Sequence, residues 1–515
     1  MATVRRPRVI FMAFGTQGDV YPLAAVAAGL AKAKPHCLVF FITHTAHESL
    51  TKVLSASGVS LIPITSPPVL SASQFHQSIT ADDSVNIMSQ VIKDTDVHPG
   101  VGWKSRIEEQ HRQECLTAVG NILYEQQQGD HIVINFFALE GWHLAEAYQV
   151  PCAVAAPYVM PYSAPVSFER RFMERHPLLY DKLKRRVPGM VGWEDVMHWM
   201  WPLFTDRWTE WRAKHLHLGS CPLTDPVTEL PRVHNWPSDP LLLYGFSKHV
   251  VECPSYWPSN AHVCGFWFLE GSVSDFEFGQ SAYPELLAFL KESTSPIFFG
   301  LSSMGSMGLI DNPKGMLDVL GGVLRAADQY AILFTAAHAP LEAAVFEAAN
   351  QDDSPTAHDA IDSEDVLCKE VPAIEKVLQK GIRLFGNRLF CLSGSVPYLW
   401  LFPKCSLIVH HGGSGTTAAA LHSGVPQVIC PFVLDQFYWA ERMAWIGVAP
   451  EPLRRVYLVP PANSETYTAV SKLLHAINGA ISPRIQACAA DLGEKLRNED
   501  GVKVAVDALC QTMFI

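Results

Sequence analysis

Short apolar runs recur along this chain, each followed by a polar turn and then by a stretch in which hydrophobic residues return every three or four positions. Val9 to Phe14 is such a run, Gly15 to Tyr21 the loop after it, and Pro22 to Lys32 a helix whose proline sits where its missing N–H is not needed. Cys37 to Ile42 with a helix from Ala46, His131 to Phe136 with a helix through Ala147, and Cys152 to Ala156 repeat the unit. Runs of this length suit strands buried on both faces, and strands alternating with helices build a parallel, doubly wound sheet. The pattern predicts an α/β fold. A second series opens with a helix over Pro284 to Leu290 and a strand over Pro296 to Leu301, continues with Leu407 to Val409 and Gln427 to Cys430, and closes in helices. Between the two, Phe168 to Leu218 is rich in Trp, Arg, His and Met, including Trp193, Trp199, Trp201, Trp208 and Trp211. It reads as helices over the first sheet, its aromatics serving either packing or the wall of a binding cleft.

At 515 residues the chain exceeds one core, and two domains of about 200 to 270 residues are expected. His262 to Trp267 reads as the last strand of the first domain and the polar stretch Gly271 to Ala282 as a linker, giving a first domain over 1–270, a linker over 271–283 and a second domain over 284–499. Pro340 to Gly386, with Gln351-Asp352-Asp353-Ser354-Pro355 and Asp362-Ser363-Glu364-Asp365, reads as a solvated acidic insertion without an assigned role. Hydrophobic residues make up 48% and charged residues 17%, a composition that buries large cores. Lys plus Arg number 39 against 51 Asp plus Glu, and the net charge of −12 argues against nucleic acid and against electrostatic attachment to anionic lipid. The 12 cysteines lack CxxC pairs or metal-ligand spacing, which suits reduced thiols in the cytoplasm. Arg5-Arg6-Pro7-Arg8 before Val9 has the look of a secretion signal, but the apolar run breaks at Gly15-Thr16-Gln17-Gly18-Asp19. No window holds the ~18 to 20 apolar residues of a membrane span, which leaves room only for peripheral membrane contact.

The most informative stretch is Pro403 to Leu453. After the strand Leu407 to Val409, His410-His411-Gly412-Gly413-Ser414-Gly415-Thr416-Thr417 opens a helix, Thr417 to Ser423. Its glycines let the backbone approach a ligand closely, and the N–H groups of a helix start face an anion. A diphosphate fits there. The next strand ends in Pro431-Phe432-Val433-Leu434-Asp435-Gln436, an acid and an amide at the carboxyl end of a strand, where open α/β sheets bind ligands and where sugar hydroxyls would find partners.

With the preceding Val396-Pro397-Tyr398-Leu399-Trp400-Leu401-Phe402-Pro403, this segment closely resembles the donor-binding signature of the UDP-sugar glycosyltransferase superfamily, in the form found in sterol 3-beta-glucosyltransferases and bacterial antibiotic glycosyltransferases of the vancomycin type. Gly15-Thr16-Gln17-Gly18-Asp19-Val20-Tyr21-Pro22 likewise resembles the GTRGDVQP loop of the sterol enzymes. The resemblance implies a GT-B fold, two doubly wound Rossmann-like domains facing across a cleft, with a final helix over 500–515 crossing back to the first domain. It implies an inverting, metal-independent transferase of lipid glycosylation or secondary metabolism, moving a hexose, glucose from UDP-glucose foremost, to a small lipophilic acceptor. No cofactor is expected beyond the UDP-sugar co-substrate, and no metal.

In that frame Asp19 is the general base, or else a cap of the following helix. Gly15, Thr16, Ser302, Ser303, Val396, Trp400, His410, Gly412, Gly413, Ser414, Gly415, Thr416, Asp435 and Gln436 bind the donor, although His410 and Trp400 also suit plain packing. Phe137, Trp142, His143, Tyr158, Met160 and Tyr162 would line the acceptor side, for a sterol, a triterpenoid or a phenol alike. Four positions depart from the family pattern: Gln17 for arginine, Ser302 for glycine in the FGSM turn, Tyr398 for histidine and Leu434 for glycine. A UDP-sugar epimerase of the same fold and a non-catalytic nucleotide-sugar-binding protein are the alternatives.

Overall fold

The computed structural model describes residues 6–66, 101–125, 129–160, 164, 167–186, 190–204, 206–219, 240–269, 283–327, 329–336, 338–351, 377–394, 396–462 and 464–513. Among them the chain divides into two compact units, one of residues up to 269 together with 499–513, the other of residues 283–498. The expected linker over 271–282, the acidic stretch over 352–376 and Tyr162 lie outside the described residues.

The first unit holds a seven-stranded parallel sheet: β1 (Arg8–Met12), β2 (Leu38–His44), β3 (Val59–Ile64), β4 (His131–Ile134), β5 (Cys152–Ala156), β6 (Leu241–Tyr244) and β7 (Ala261–Val263), in the order β3-β2-β1-β4-β5-β6-β7. Ile10 faces Phe40 on one side and Ile132 on the other, so β1 is covered on both edges and its residues Val9 to Met12 are fully buried. That is why the runs are continuously apolar rather than alternating. Strand order reverses between β1 and β4, the switch point at which such sheets open a crevice at the carboxyl ends of their strands. The helix after β1 begins at Gln17 and runs to Ala33, five residues earlier than the proline suggested. Pro22 therefore lies inside the helix, and Asp19 lies in its first turn rather than before it. The helix Gly501–Met513 packs on Gln17–Ala33 within this unit, burying Ala505, Val506 and Leu509.

The second unit holds β8 (Ile297–Gly300), β9 (Ala331–Phe334), β10 (Ile382–Leu384), β11 (Leu389–Leu392), β12 (Leu407–His410) and β13 (Gln427–Ile429), in the order β10-β11-β9-β8-β12-β13. All pairs are parallel except β10 with β11. The flanks of the region expected to be a solvated insertion are ordered instead: Ala339–Gln351 is a helix with Leu341 and Val345 in the core, and β10 closes the sheet edge. Here the switch point falls between β8 and β12, which brings the turn after Gly300 beside the turn after His410. No helix among the described residues is long and apolar enough to cross a membrane.

Candidate functional site

In the first unit the switch-point turn runs from Ala13 to Thr16. Gly15 has φ +112, and a Cβ there would lie 2.5 Å from the Asp19 Oδ2, so only glycine lets the carboxylate fold back over the turn. Asp19 Oδ2 accepts the Thr16 backbone N–H at 2.6 Å and the Thr16 hydroxyl at 2.8 Å. This is a capping box in which Asp19 occupies the third helical position, with the helix dipole favouring its ionised form. The cap is thus made by the same carboxylate that the sequence marks as the candidate base. On the expected acceptor side, Phe137 is half-buried and 5.7 Å from Tyr158, and half-buried Trp142 meets Trp199 edge-on at 5.4 Å. Met160 and His143 are turned inward, 1% and 0% exposed. His143 accepts the Arg212 N–H at 2.8 Å through Nδ1, in a network where Arg212 also bonds both oxygens of Glu146. Burial pushes its pKa down, with the Arg212 charge acting the same way. It braces the helical layer instead of lining an open wall.

In the second unit the helix opened by the glycine turn spans Ser414–Ser423, with Gly413 as its N-cap. Its first intrahelical bond runs from Thr417 N–H to Gly413 O at 2.9 Å, so the N–H groups of Ser414, Gly415 and Thr416 have no intrahelical acceptor. Those donors suit a diphosphate. Gly412 has φ +88, and a Cβ on it would come within 2.8 Å of Ile429 and 3.0 Å of the Gln436 carbonyl, so the turn closes against the β13 loop only with glycine.

His410 differs from the expectation. It is fully buried, its Nδ1 accepts the Gly412 N–H at 3.0 Å and its Nε2 bonds Gln427 Oε1 at 2.8 Å. Burial pushes its pKa down to about 4, against the Gln427 bond, and that of His411 down to about 3, with His410 adding to the effect. Both rings are neutral near pH 7, so this turn offers dipoles and no imidazolium charge. His410 consumes the Gly412 N–H and shapes the turn; neither group is left for a ligand.

The loop after β13 also turns its amide inward. Gln436 Oε1 accepts the Phe432 and Val433 N–H groups at 2.9 and 3.0 Å, and its Nε2 reaches Met304 Sδ at 3.5 Å. It holds its own loop and the turn after β8 together instead of facing a sugar. Asp435 is half-buried, and Oδ2 accepts the Trp439 indole N–H at 2.9 Å one helical turn on. Val396 and Trp400, 6% and 5% exposed, pack in the core cluster around Phe298 and Phe402, with Lys404 Nζ 4.2 Å above the Trp400 ring, so Trp400 is a packing residue.

The four departures from the family pattern acquire physical meanings. Gln17 is the exposed first residue of its helix. Tyr398 stacks on Phe402 at 4.6 Å and meets Phe298 edge-on at 5.5 Å, an aromatic plug in the core. Ser302 and Leu434, the two positions where the pattern carries glycine, have φ +46 and +56. The backbone keeps the left-handed conformation that glycine adopts freely, although a side chain is present, at a cost of about 1 to 2 kcal/mol per residue. The glycine of the family pattern was the one sequence signal for this. Met304 falls in the FGSM turn, but nothing in the sequence pointed to its contact with Gln436.

Leu434 is 36% exposed, so removing its side chain forfeits little burial. Leu434→Gly should therefore raise the unfolding free energy by about 1 kcal/mol and Leu434→Ile, β-branched in the left-handed region, should lower it by more than that, both read from urea midpoints. The Asp435 carboxyl is pushed up from 3.8 to about 6, first by burial, with the Trp439 bond pulling the other way. The folded state holds this proton more tightly than the unfolded chain, so the carboxyl favours folding below about pH 4 and that contribution is lost as the pH rises to about 6. Asp435→Asn, which keeps an acceptor for Trp439, should flatten the stability profile over that window and exceed the parent chain in stability above it. Parallel profiles for the two proteins would refute the assignment.

Comparison with known proteins agrees with this geometry. Residues 379–455 match the family described as Erythromycin biosynthesis protein CIII-like, C-terminal domain. A sterol 3-beta-glucosyltransferase of Arabidopsis thaliana is 26% identical over 98% of this chain and 68% of its own length, and another from the same plant is 24% identical over 97% of the chain and 65% of its length. A sterol 3-beta-glucosyltransferase of Komagataella phaffii is 25% identical over 99% of the chain, which spans only 35% of that relative. Among solved structures, the glycosyltransferase of kitacinnamycin superposes with a TM-score of 0.55 at 16% identity, each chain covered to 99%, and an indoxyl-glucosylating UDP-glucosyltransferase from Polygonum tinctorium with 0.53 at 14%, again with 99% of each chain covered. The domain match over residues 379–455 and the relatives make the chain similar to glycosyltransferases, and its fold is GT-B.

Proposed function

We propose that this chain is an inverting, metal-independent glycosyltransferase that moves a hexose, glucose from UDP-glucose foremost, to a hydroxyl of a small lipophilic acceptor in the cytoplasm. The observation that carries the reading is the set of backbone donors at Ser414, Gly415 and Thr416, held at the switch point of the second sheet where a diphosphate is best received. The relatives named sterol 3-beta-glucosyltransferase support glucose as the sugar and a sterol-like alcohol as the acceptor. In the reaction, Asp19 takes the proton of the acceptor hydroxyl, the acceptor oxygen forms a bond to the anomeric carbon, and the bond from that carbon to the diphosphate oxygen breaks with inversion. The bond pair leaves on UDP, whose charge the N–H groups meet. Asp435 is the remaining polar candidate of its loop for a sugar hydroxyl, since Gln436 is spent on backbone. No metal or further cofactor is required.

A pooled library of sterols, triterpenoids and phenols, incubated with several UDP-sugars and read by mass spectrometry, tests the function. Asp19→Asn keeps an acceptor for Thr16 and hence the helix cap, so it separates the carboxylate's two roles. Turnover should fall by roughly two to four orders of magnitude at nearly unchanged UDP affinity. Retention of more than about a tenth of the parent turnover would remove Asp19 as the base. The same assay in excess EDTA should run at the parent rate, and a loss restored by Mg²⁺ would contradict the metal-independent mechanism.

A further inference from the structure

Asn135 directly follows β4 and is fully buried beside the turn that carries Asp19. Its Nδ2 donates to the Phe14 carbonyl at 2.7 Å and to the Asp19 carbonyl at 3.3 Å, while its Oδ1 accepts the N–H groups of Phe14 and of Phe137, both at 3.2 Å. A neutral amide has two donors and two acceptor sites, and all four are engaged. The arrangement admits one residue type. Aspartate would turn an oxygen toward two carbonyls, and leucine of similar size would orphan a buried N–H and carbonyl at Phe14. From the other side, His47 Nε2 meets the Gly15 carbonyl at 3.0 Å, and burial pushes the His47 pKa down, so the ring is neutral and donates.

We propose that Asn135 is the positioning residue of the base-bearing turn, fixing the backbone of Phe14 and Asp19 and joining that turn to the acceptor-side loop at Phe137, with His47 securing Gly15. The inference rests on the reading of Asp19 as the base. Its physical basis is the switch point: β1 and β4 are neighbours there, their pairing ends at Met12 and Ile134, and beyond it the Asn135 N–H to Met12 carbonyl bond at 3.1 Å, the Ala13 N–H to Ile42 carbonyl bond at 3.0 Å and the side chains just named hold the two segments. A carboxylate that must meet a hydroxyl within hydrogen-bond reach depends on that backbone, and a displacement of about 1 Å costs about a hundredfold in rate.

The test compares Asn135→Asp and Asn135→Ser with the parent chain by hydrogen exchange over residues 13–21 and by steady-state kinetics. Faster exchange confined to that segment is expected, with kcat lowered about tenfold to a hundredfold and KM for UDP-glucose unchanged. In Asn135→Asp the added charge should also move the acid limb of the pH–rate profile upward, because a neighbouring carboxylate raises the pKa of Asp19. A role in stability alone would lower the urea midpoint and leave kcat of the folded variant at the parent value. Unaltered exchange over 13–21 in either folded variant, or parent-like kcat beside accelerated exchange, overturns the proposal. A parent chain without turnover on any acceptor would instead sink the proposed function, and the exchange measurement would still decide whether Asn135 clamps the turn.

Discussion

The N–H groups that open the helix Ser414–Ser423 cannot bond within that helix, and the fold decides what they face. β12 lies between β8 and β13, its last residue is His410, and the chain must reverse over three residues to start the helix. His410 makes the reversal possible by accepting the Gly412 N–H, and Gly412 makes it possible by having no Cβ where Ile429 and the Gln436 carbonyl approach. The amide of Gln436 then ties the β13 loop to Met304 beyond β8. The three loops around the switch point thus hold one another, and His410, Gly412 and Gln436, expected to touch a donor, supply the frame instead. What remains for an anion is backbone, which keeps its charge distribution at every pH at which the protein is folded.

The same economy governs the first unit. Asp19 serves as the third residue of a capping box, Asn135 and His47 hold the carbonyls around it, and Gly15 clears the space over which its carboxylate folds. A carboxylate with one backbone N–H and one hydroxyl partner is fixed in direction, as the base proposed for this turn must be before it meets substrate.

The strands and their parallel order were legible because strands buried on both faces write themselves as unbroken apolar runs, as Cys152 to Ala156 does to the residue. The turn that opens the helix Ser414–Ser423 was legible from its glycines. The start of the first helix was not, because Pro22 sits inside it and imitates a first-turn proline. Side-chain direction was the larger failure. His410, Gln436, His143 and Trp400 are polar or aromatic residues within or beside a recognised motif, and nothing local to the sequence distinguishes a group that touches ligand from one that holds the turn for it. The left-handed backbones at Ser302 and Leu434 were hidden for a related reason: the glycine that would announce such a conformation is replaced there by a residue with a side chain.

The central claim is that backbone donors of the Ser414–Thr416 turn bind the diphosphate. Proline is tolerated at the first helical position, and Gly413, at φ −62 and ψ 141, already has the extended conformation that a following proline prefers, so Ser414→Pro removes one of these donors with the helix intact. Titration calorimetry of the folded variant should show UDP binding weakened by about tenfold or more, the loss expected for a hydrogen bond to a charged group, with uridine binding unchanged. Equal UDP affinity in variant and parent would contradict the account.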